Sequence, residues 1–270
     1  MRVPHGGTLR SRADPGRRSV ITVTGHVGYE VVLLRHGETL GYDGDLGLTP
    51  LGERQADERG TALAKEVTPG SDVRMPHAQT ARATATAVGL RAALVEELGE
   101  PGDDTTVGPL YAEPLLANLR FALHGEVVDT AVAVTARLRM PDGEPPDWVR
   151  EYDRFDSDYR AIAAAGGPIE YWLHNPTLFF EPPQLAAYRM WRAVAAFGEL
   201  RGDRPLLVVA TTHSAPMRAV VASALGRDPG EPHNLEEIRV QVDRDGAATL
   251  TFRGDVVSFE TLPTPPPWFA

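Results

Sequence analysis

The chain reads as an α/β protein: a three-layer sandwich with a mostly parallel central sheet flanked by helices, plus a helical cap insertion. Three observations predict this. Two apolar runs, Glu30–Leu34 and Leu206–Ala210, have the composition of strands buried on both faces. Stretches carrying helix signals alternate with strand-like runs. Each of the two apolar runs also ends abruptly in polar residues, and open α/β sheets bind their ligands at the carboxyl ends of strands.

The elements follow in order. Residues 1–18 hold Arg2, Arg10, Arg12, Arg17 and Arg18 among Gly, Pro and Ser, without the apolar centre of a secretory signal, and are expected to be a flexible lead-in. Ser19–Thr24 is β-rich and predicts an edge strand. Thr49 is a good N-cap and Pro50 suits the first helical position, which predicts a helix from there to about Glu66. A short strand is expected at Asp72–Met75 and an alanine-rich helix at about Thr80–Leu94. The composition then shifts toward Pro, Gly, Trp and Tyr, with helical pieces at Val127–Leu138 and Trp148–Ala165. This stretch, about 111–183, reads as a cap inserted into a single domain of residues 19–262. Helices at Gln184–Leu200 and Ala215–Leu225 flank the second apolar run. A hairpin closes the domain, pairing Ile238–Val242 with Ala248–Phe252 around Asp243–Gly246. The Pro-rich tail, 263–270, is expected to be irregular.

At 270 residues with 42% hydrophobic and 24% charged residues, the composition is that of an ordinary globular protein. No apolar run approaches the roughly 18 residues of a membrane span, so no membrane association is expected and a cytoplasmic location is. Cysteine is absent, which excludes disulfides, thiol nucleophiles and cysteine-ligated metals. A net charge of −10 argues against nucleic acid as a partner but allows a locally positive pocket. Lys65 is the only lysine, so positive charge is nearly all arginine. The eight histidines are scattered without metal-ligand spacing, and no phosphate-cradling G-x-x-x-x-G-K motif occurs, so neither a metal nor a nucleotide cofactor is expected.

Both apolar runs lead to a histidine, as Leu34-Arg35-His36-Gly37 and Ala210-Thr211-Thr212-His213. With Glu38-Thr39 added, the first resembles the signature of the histidine phosphatase superfamily, in its phosphoglycerate mutase-like branch. Leu48-Thr49-Pro50-Leu51-Gly52 with Gln55-Ala56, then Arg82-Ala83 with Thr86-Ala87, then Leu207–Arg218, resemble further conserved stretches in the right order. Asn234 and the closing hairpin also fit. The resemblance covers roughly residues 28–98 and 184–252.

It implies a phosphate-ester hydrolase in which neutral His36 attacks phosphorus and is transiently phosphorylated, dividing one difficult displacement into two easier ones. Charge spread over the phosphoryl oxygens calls for fixed cations and donors. Arg35, Arg82 and His213 are the implied clamp, with His213 as a donor whose protonation is plausible beside a dianion. Arg82 is preferred over nearby Arg74 because its spacing to both flanking helices fits. Glu38 reads as a residue that holds the loop. Thr39 is compatible with a helix cap or a phosphate contact, and His77 with a structural or substrate-facing role.

A general acid must protonate the leaving oxygen, and Glu113 is the best positional match to the family's carboxylate. Asp103, Asp104 and Glu126 compete with it. Two departures count against a glycolytic mutase or a phytase-type enzyme: Leu40–Asp43 lacks the asparagine common in mutases, and Ser214, not aspartate, follows His213. The expected activity is therefore metal-independent hydrolysis of a small phosphate monoester. A phosphomutase and a non-catalytic phospholigand-binding protein are the alternatives. The expected partners are a small phosphorylated metabolite and at most a second copy of the chain, as a homodimer. Trp148, Tyr152, Tyr159, Tyr171, Trp172 and Phe179 are expected to shape the substrate pocket or to form the cap's own core.

Overall fold

The computed structural model describes residues 27–41, 44–99, 104–140, 143–162, 167–175 and 179–264. The expected flexible lead-in, the edge strand at Ser19–Thr24, Asp103 and the end of the Pro-rich tail lie outside them.

Strand β1, Val27–Arg35, is the sheet's organising element. Its alternate side chains separate into two cores. Val31 and Leu33 pack with β6 (Leu206–Thr212), helix α6 (Pro183–Phe197) and helix α7 (Ser214–Leu225). Val32 and Leu34 pack with α1 (Pro50–Ala64), β2 (Asp72–His77) and α2 (Ala81–Glu97). Period-two alternation in a strand buried on both faces thus builds helix, sheet and helix layers. On one face, α1 and α2 approach closely through small residues: a Cβ on Gly60 would lie 2.7 Å from the Ala93 Cβ.

The remaining strands are β3 (Thr106–Ala112), β4 (Arg120–Leu123), β5 (Glu126–Asp129), β7 (Glu237–Asp243), β8 (Ala248–Phe252) and β9 (Asp255–Phe259). Among the described residues the main sheet runs β3-β2-β6-β1-β7-β8-β9. The first four strands are parallel, and β7 to β9 pair antiparallel. The predicted closing hairpin is therefore present but is extended by β9 and paired onto β1. Neither β3 nor β9 was expected.

Between β3 and α6 lie a 3₁₀ turn at Pro114–Leu116, the β4–β5 hairpin, and helices α3 (Thr130–Leu138), α4 (Asp147–Ile162) and α5 (Gly167–His174). The expected helix at Val127–Leu138 is corrected at its start: residues 126–129 are strand, and Asp129 caps a helix that begins at Thr130. The side chain of Tyr159 lies outside the described residues, and the other aromatic residues of this segment pack largely on one another. Phe121, Trp148, Trp172 and Phe180 are buried, Phe155 stacks on Phe180 at 4.3 Å, and the Trp172 indole donates to the Glu181 carbonyl at 2.7 Å. Among the described residues no helix is long and apolar enough to cross a membrane.

Candidate active site

Parallel pairing sets the carboxyl ends of β3, β2, β6 and β1 side by side. His77 stands opposite both Ala112 and Thr211, and Arg35 opposite Thr212. The residues just beyond those ends, Glu113, His213 and His36, therefore share one edge of the sheet. The His36 and His213 rings meet edge to face with centroids 5.2 Å apart, and both are buried.

His36 is fixed by backbone and ring together. Its N–H donates to the Thr212 carbonyl at 3.0 Å, and its carbonyl accepts from the Asn234 amide at 2.8 Å. Ring atom Nδ1 lies 2.7 Å from the Gly37 carbonyl. A carbonyl can only accept, so Nδ1 carries the proton and Nε2 keeps its lone pair. Burial, with help from the Arg82 and Arg35 charges, depresses the His36 pKa to about 3 against the opposing bond to Gly37, so the ring is neutral at physiological pH.

The two glycines of the motifs exist because their backbones touch. A Cβ on Gly37 would lie 2.6 Å from the Gly52 carbonyl oxygen, and one on Gly52 only 2.1 Å from that of Glu38. The α1 N-terminus thus nests directly against the loop that follows His36. Gly37 N–H donates to the Thr86 hydroxyl at 3.0 Å, and Glu38 N–H to Gln55 Oε1 at 2.9 Å. The Glu38 carboxylate accepts from the Thr49 hydroxyl at 3.0 Å, which makes it a loop-holding group. Thr39 caps no helix. Its hydroxyl donates within its own loop, to the Gly47 carbonyl at 2.9 Å.

His213 is the N-cap residue of α7 and makes no capping bond with its side chain. Its Nε2 lies 3.2 Å from the hydroxyl of Thr80, which is itself the N-cap of α2. Two helix N-termini therefore converge on His213, and their partial positive charge favours an anion. Thr80 was not singled out by sequence, although a cap residue directly before Ala81-Arg82 was the available signal. His213 Nδ1 is buried without a hydrogen-bond partner among the described residues. In the tautomer in which the Thr80 hydroxyl donates to Nε2, the ring proton sits on Nδ1 and is available to a ligand. Burial, then the charges of Arg82, His36, Arg189 and Arg35, hold the His213 pKa well below the usual value.

Arg82, in the first turn of α2, is buried and lies 3.8 Å from Asp45, which also accepts from Ala81 N–H at 2.7 Å. Arg74, its rival, is more exposed and pairs with Asp72 at 3.5 Å. Arg35 donates to the Pro232 carbonyl and pairs with Glu231 at 3.1 Å. Glu231 in turn lies 3.5 Å from Arg218, whose guanidinium forks onto Asp228. His77 is tied to the Ala78 carbonyl at 2.9 Å and the Thr84 hydroxyl at 3.2 Å, which favours its structural reading.

Of the proposed acids, Glu113 stands on this edge, but its carboxylate caps the 3₁₀ turn by accepting from Leu115 N–H at 2.9 Å. Asp104 precedes β3, and its carbonyl accepts from Arg204, so it lies at the opposite, amino edge. Glu126 is exposed at the tip of the β4–β5 hairpin. Among the described residues no group of three or more His, Asp or Glu side chains is placed to hold a metal ion.

No protein-family model matches the chain, and no curated protein matches it. Solved structures do. YhfR of Bacillus stearothermophilus superposes with a TM-score of 0.51 at 18% identity, covering 84% of this chain and 97% of that one. A mycobacterial glucosyl-3-phosphoglycerate phosphatase has a TM-score of 0.46 at 19% identity, over 78% of this chain and 90% of its own. A phosphoserine phosphatase of Entamoeba histolytica has a TM-score of 0.45 at 17% identity, over 87% of this chain and 100% of its own. Sheet order, layers and the superposition on YhfR together establish the fold: this chain shares the three-layer α/β architecture of YhfR.

Proposed function

We propose that the protein is a metal-independent phosphatase that hydrolyses a small phosphate monoester through a phosphohistidine at His36. The observation that carries this reading is a buried, neutral imidazole with its proton committed to Gly37, set beside His213 at a sheet edge where two helix N-termini and two arginines gather. A neutral nucleophile approaches a phosphate dianion without charge repulsion. His36 Nε2 forms a bond to phosphorus while the ester P–O bond breaks and the departing oxygen takes a proton. Water then attacks phosphorus, the N–P bond breaks, and inorganic phosphate leaves. Arg35, Arg82, His213 Nδ1–H and the α7 N-terminus would hold the three phosphoryl oxygens, the electrostatic part of the catalysis. The predicted substrate is a small phosphorylated metabolite.

The test is hydrolysis of an aryl phosphate in excess chelator by wild type and His36→Ala, with an alkaline quench and mass spectrometry of the peptide bearing His36. Wild-type turnover, a phosphoryl adduct on His36, and loss of both in the variant are expected. Turnover that survives His36→Ala, or that the chelator abolishes, refutes the reading.

A further inference from the structure

We infer that Asp129, a residue of the inserted segment, is the group that protonates the leaving oxygen; the assignment rests on the phosphatase reading above. Asp129 ends β5 and caps α3, accepting from Ala131 N–H at 2.8 Å, and the Asn118 side chain also hydrogen-bonds to it. Asn118 belongs to the strip that leaves the end of β3 and lies against β6. That strip is pinned next to His213: the Thr212 hydroxyl donates to the Leu116 carbonyl at 2.7 Å. Buried Arg189 grips the carbonyls of Leu115 and Ala117 at 2.7 Å each and of Asn118 at 3.1 Å. Thr130, the residue after Asp129, bonds the Leu119 carbonyl through its N–H at 3.2 Å and its hydroxyl at 2.6 Å.

The charges of Arg82 of α2 and of Asp45 in the loop after His36 also act on Asp129. Across the hairpin its partner is Arg120, whose guanidinium is directed to the Pro114 carbonyl at 3.0 Å. Arg82 thus acts on two carboxylates, pairing with Asp45 at 3.8 Å and drawing on the Asp129 charge. Asp45 is half-exposed and already holds the α2 N-terminus. Asp129 is the more sheltered, and burial, reinforced by the Asp45 charge, raises its pKa against the opposing pulls of Ala131 N–H, Arg82 and Asn118. A phosphate dianion seated on Arg82 offsets the Arg82 charge that acts on Asp129 and favours its protonated form. Asp129 then passes its proton to the departing ester oxygen as the P–O bond breaks, and recovers one from the attacking water.

The experiment compares phenyl phosphate with 2,4-dinitrophenyl phosphate for wild type, Asp129→Asn, Asp129→Ser and Glu113→Gln. Dinitrophenolate departs without a proton, whereas phenolate needs one. Asn and Ser both keep the α3 cap, so folding is preserved. In the Asp129 variants kcat/KM on phenyl phosphate should fall about 100-fold or more, with a fall below about fivefold on the dinitrophenyl ester. The basic limb of the phenyl phosphate pH profile should move with Asp129, and Glu113→Gln should show the smaller leaving-group dependence. Equal losses on both esters, unchanged rates in the Asp129 variants, or a leaving-group split confined to Glu113→Gln would each overturn the assignment. Inactivity of wild type on both esters is a separate outcome that removes the phosphatase reading, and the assignment with it.

Discussion

Gly52→Ala sets helix propensity against packing at the point where the proposed nucleophile is positioned. In the first turn of α1 the substitution gains at most about 1 kcal/mol of helix propensity. The added Cβ would sit 2.1 Å from the Glu38 carbonyl oxygen, 2.9 Å from its nitrogen and 3.0 Å from its carbonyl carbon. Ordinary carbon contacts begin near 3.5 Å, so the His36 loop must retreat by about 1 Å. All the obstructing atoms are backbone, which no rotamer change can move. Retreat stretches the bonds that hold the loop: Thr49 N–H to the Glu38 carbonyl at 3.0 Å, Glu38 N–H to Gln55 at 2.9 Å, and the Thr49 hydroxyl to the Glu38 carboxylate at 3.0 Å. At about 0.5–1.5 kcal/mol each, two or three weakened bonds outweigh the propensity gain and leave a net loss of about 1–3 kcal/mol. A displacement of that size at a nucleophile should also lower kcat/KM about 100-fold. Urea unfolding followed by tryptophan fluorescence reads the first effect and phosphatase assay the second. Gly47→Ala is the control, because nothing lies within 4 Å of its Cβ, and its stability change should stay below about 0.5 kcal/mol. A Gly52→Ala protein as stable as wild type and fully active would refute the close-approach argument.

Two further outcomes are expected. In Arg189→Met the buried Glu181 carboxylate loses its fork at 2.8 and 3.0 Å and three carbonyls lose their donor, so stability should drop by about 3–5 kcal/mol in urea; a drop below about 1 kcal/mol would contradict a structural role for this pair. The depressed His36 pKa means that the unfolded chain binds the extra proton, so stability is full above about pH 6.5 and is lost as pH falls toward about 3. Between pH 6.5 and 5 the loss from His36 is about 1.6 kcal/mol, and His213 adds to it in the same direction. His36→Gln should flatten the measured dependence by that amount, and an unchanged slope would place the ring in solvent.

What sequence made legible was whatever rested on burial or on a steric requirement. An apolar strand on both faces cannot tolerate a stray polar residue, so Arg35-His36 and Thr212-His213 announced the ends of β1 and β6. Gly37 and Gly52 are the two halves of one backbone contact, which is why motifs 15 residues apart read together. The missed elements carry little burial and irregular signals. β3 contains Gly108 and Pro109, and proline within a strand is accommodated at a sheet edge, where β3 lies. β9 follows Arg253-Gly254, both at positive φ, a tight turn reached without the Asn-Gly or Asp-Gly pair that usually marks one. His124-Gly125 makes the same turn between β4 and β5.

The consequence for function is specific to one boundary. Extending the α3 helix back to Val127 places Asp129 inside it, as one more polar residue on a helix face. Starting it at Thr130 makes Asp129 a cap whose carboxylate accepts from Ala131 N–H and bonds Asn118, in the strip that runs beside His213. Val127 and Val128 are equally at home in a strand, and Asp129 followed by Thr130-Ala131 was the sign that the helix begins one residue later. The carboxylate that Glu113 was expected to supply by position alone is thus offered by a residue whose role depends on the backbone reversing at that cap. A sheet edge can be inferred from hydrophobic pattern, but a proton donor contributed by an inserted segment depends on tertiary packing, here the grip of Arg189 on residues 115–118.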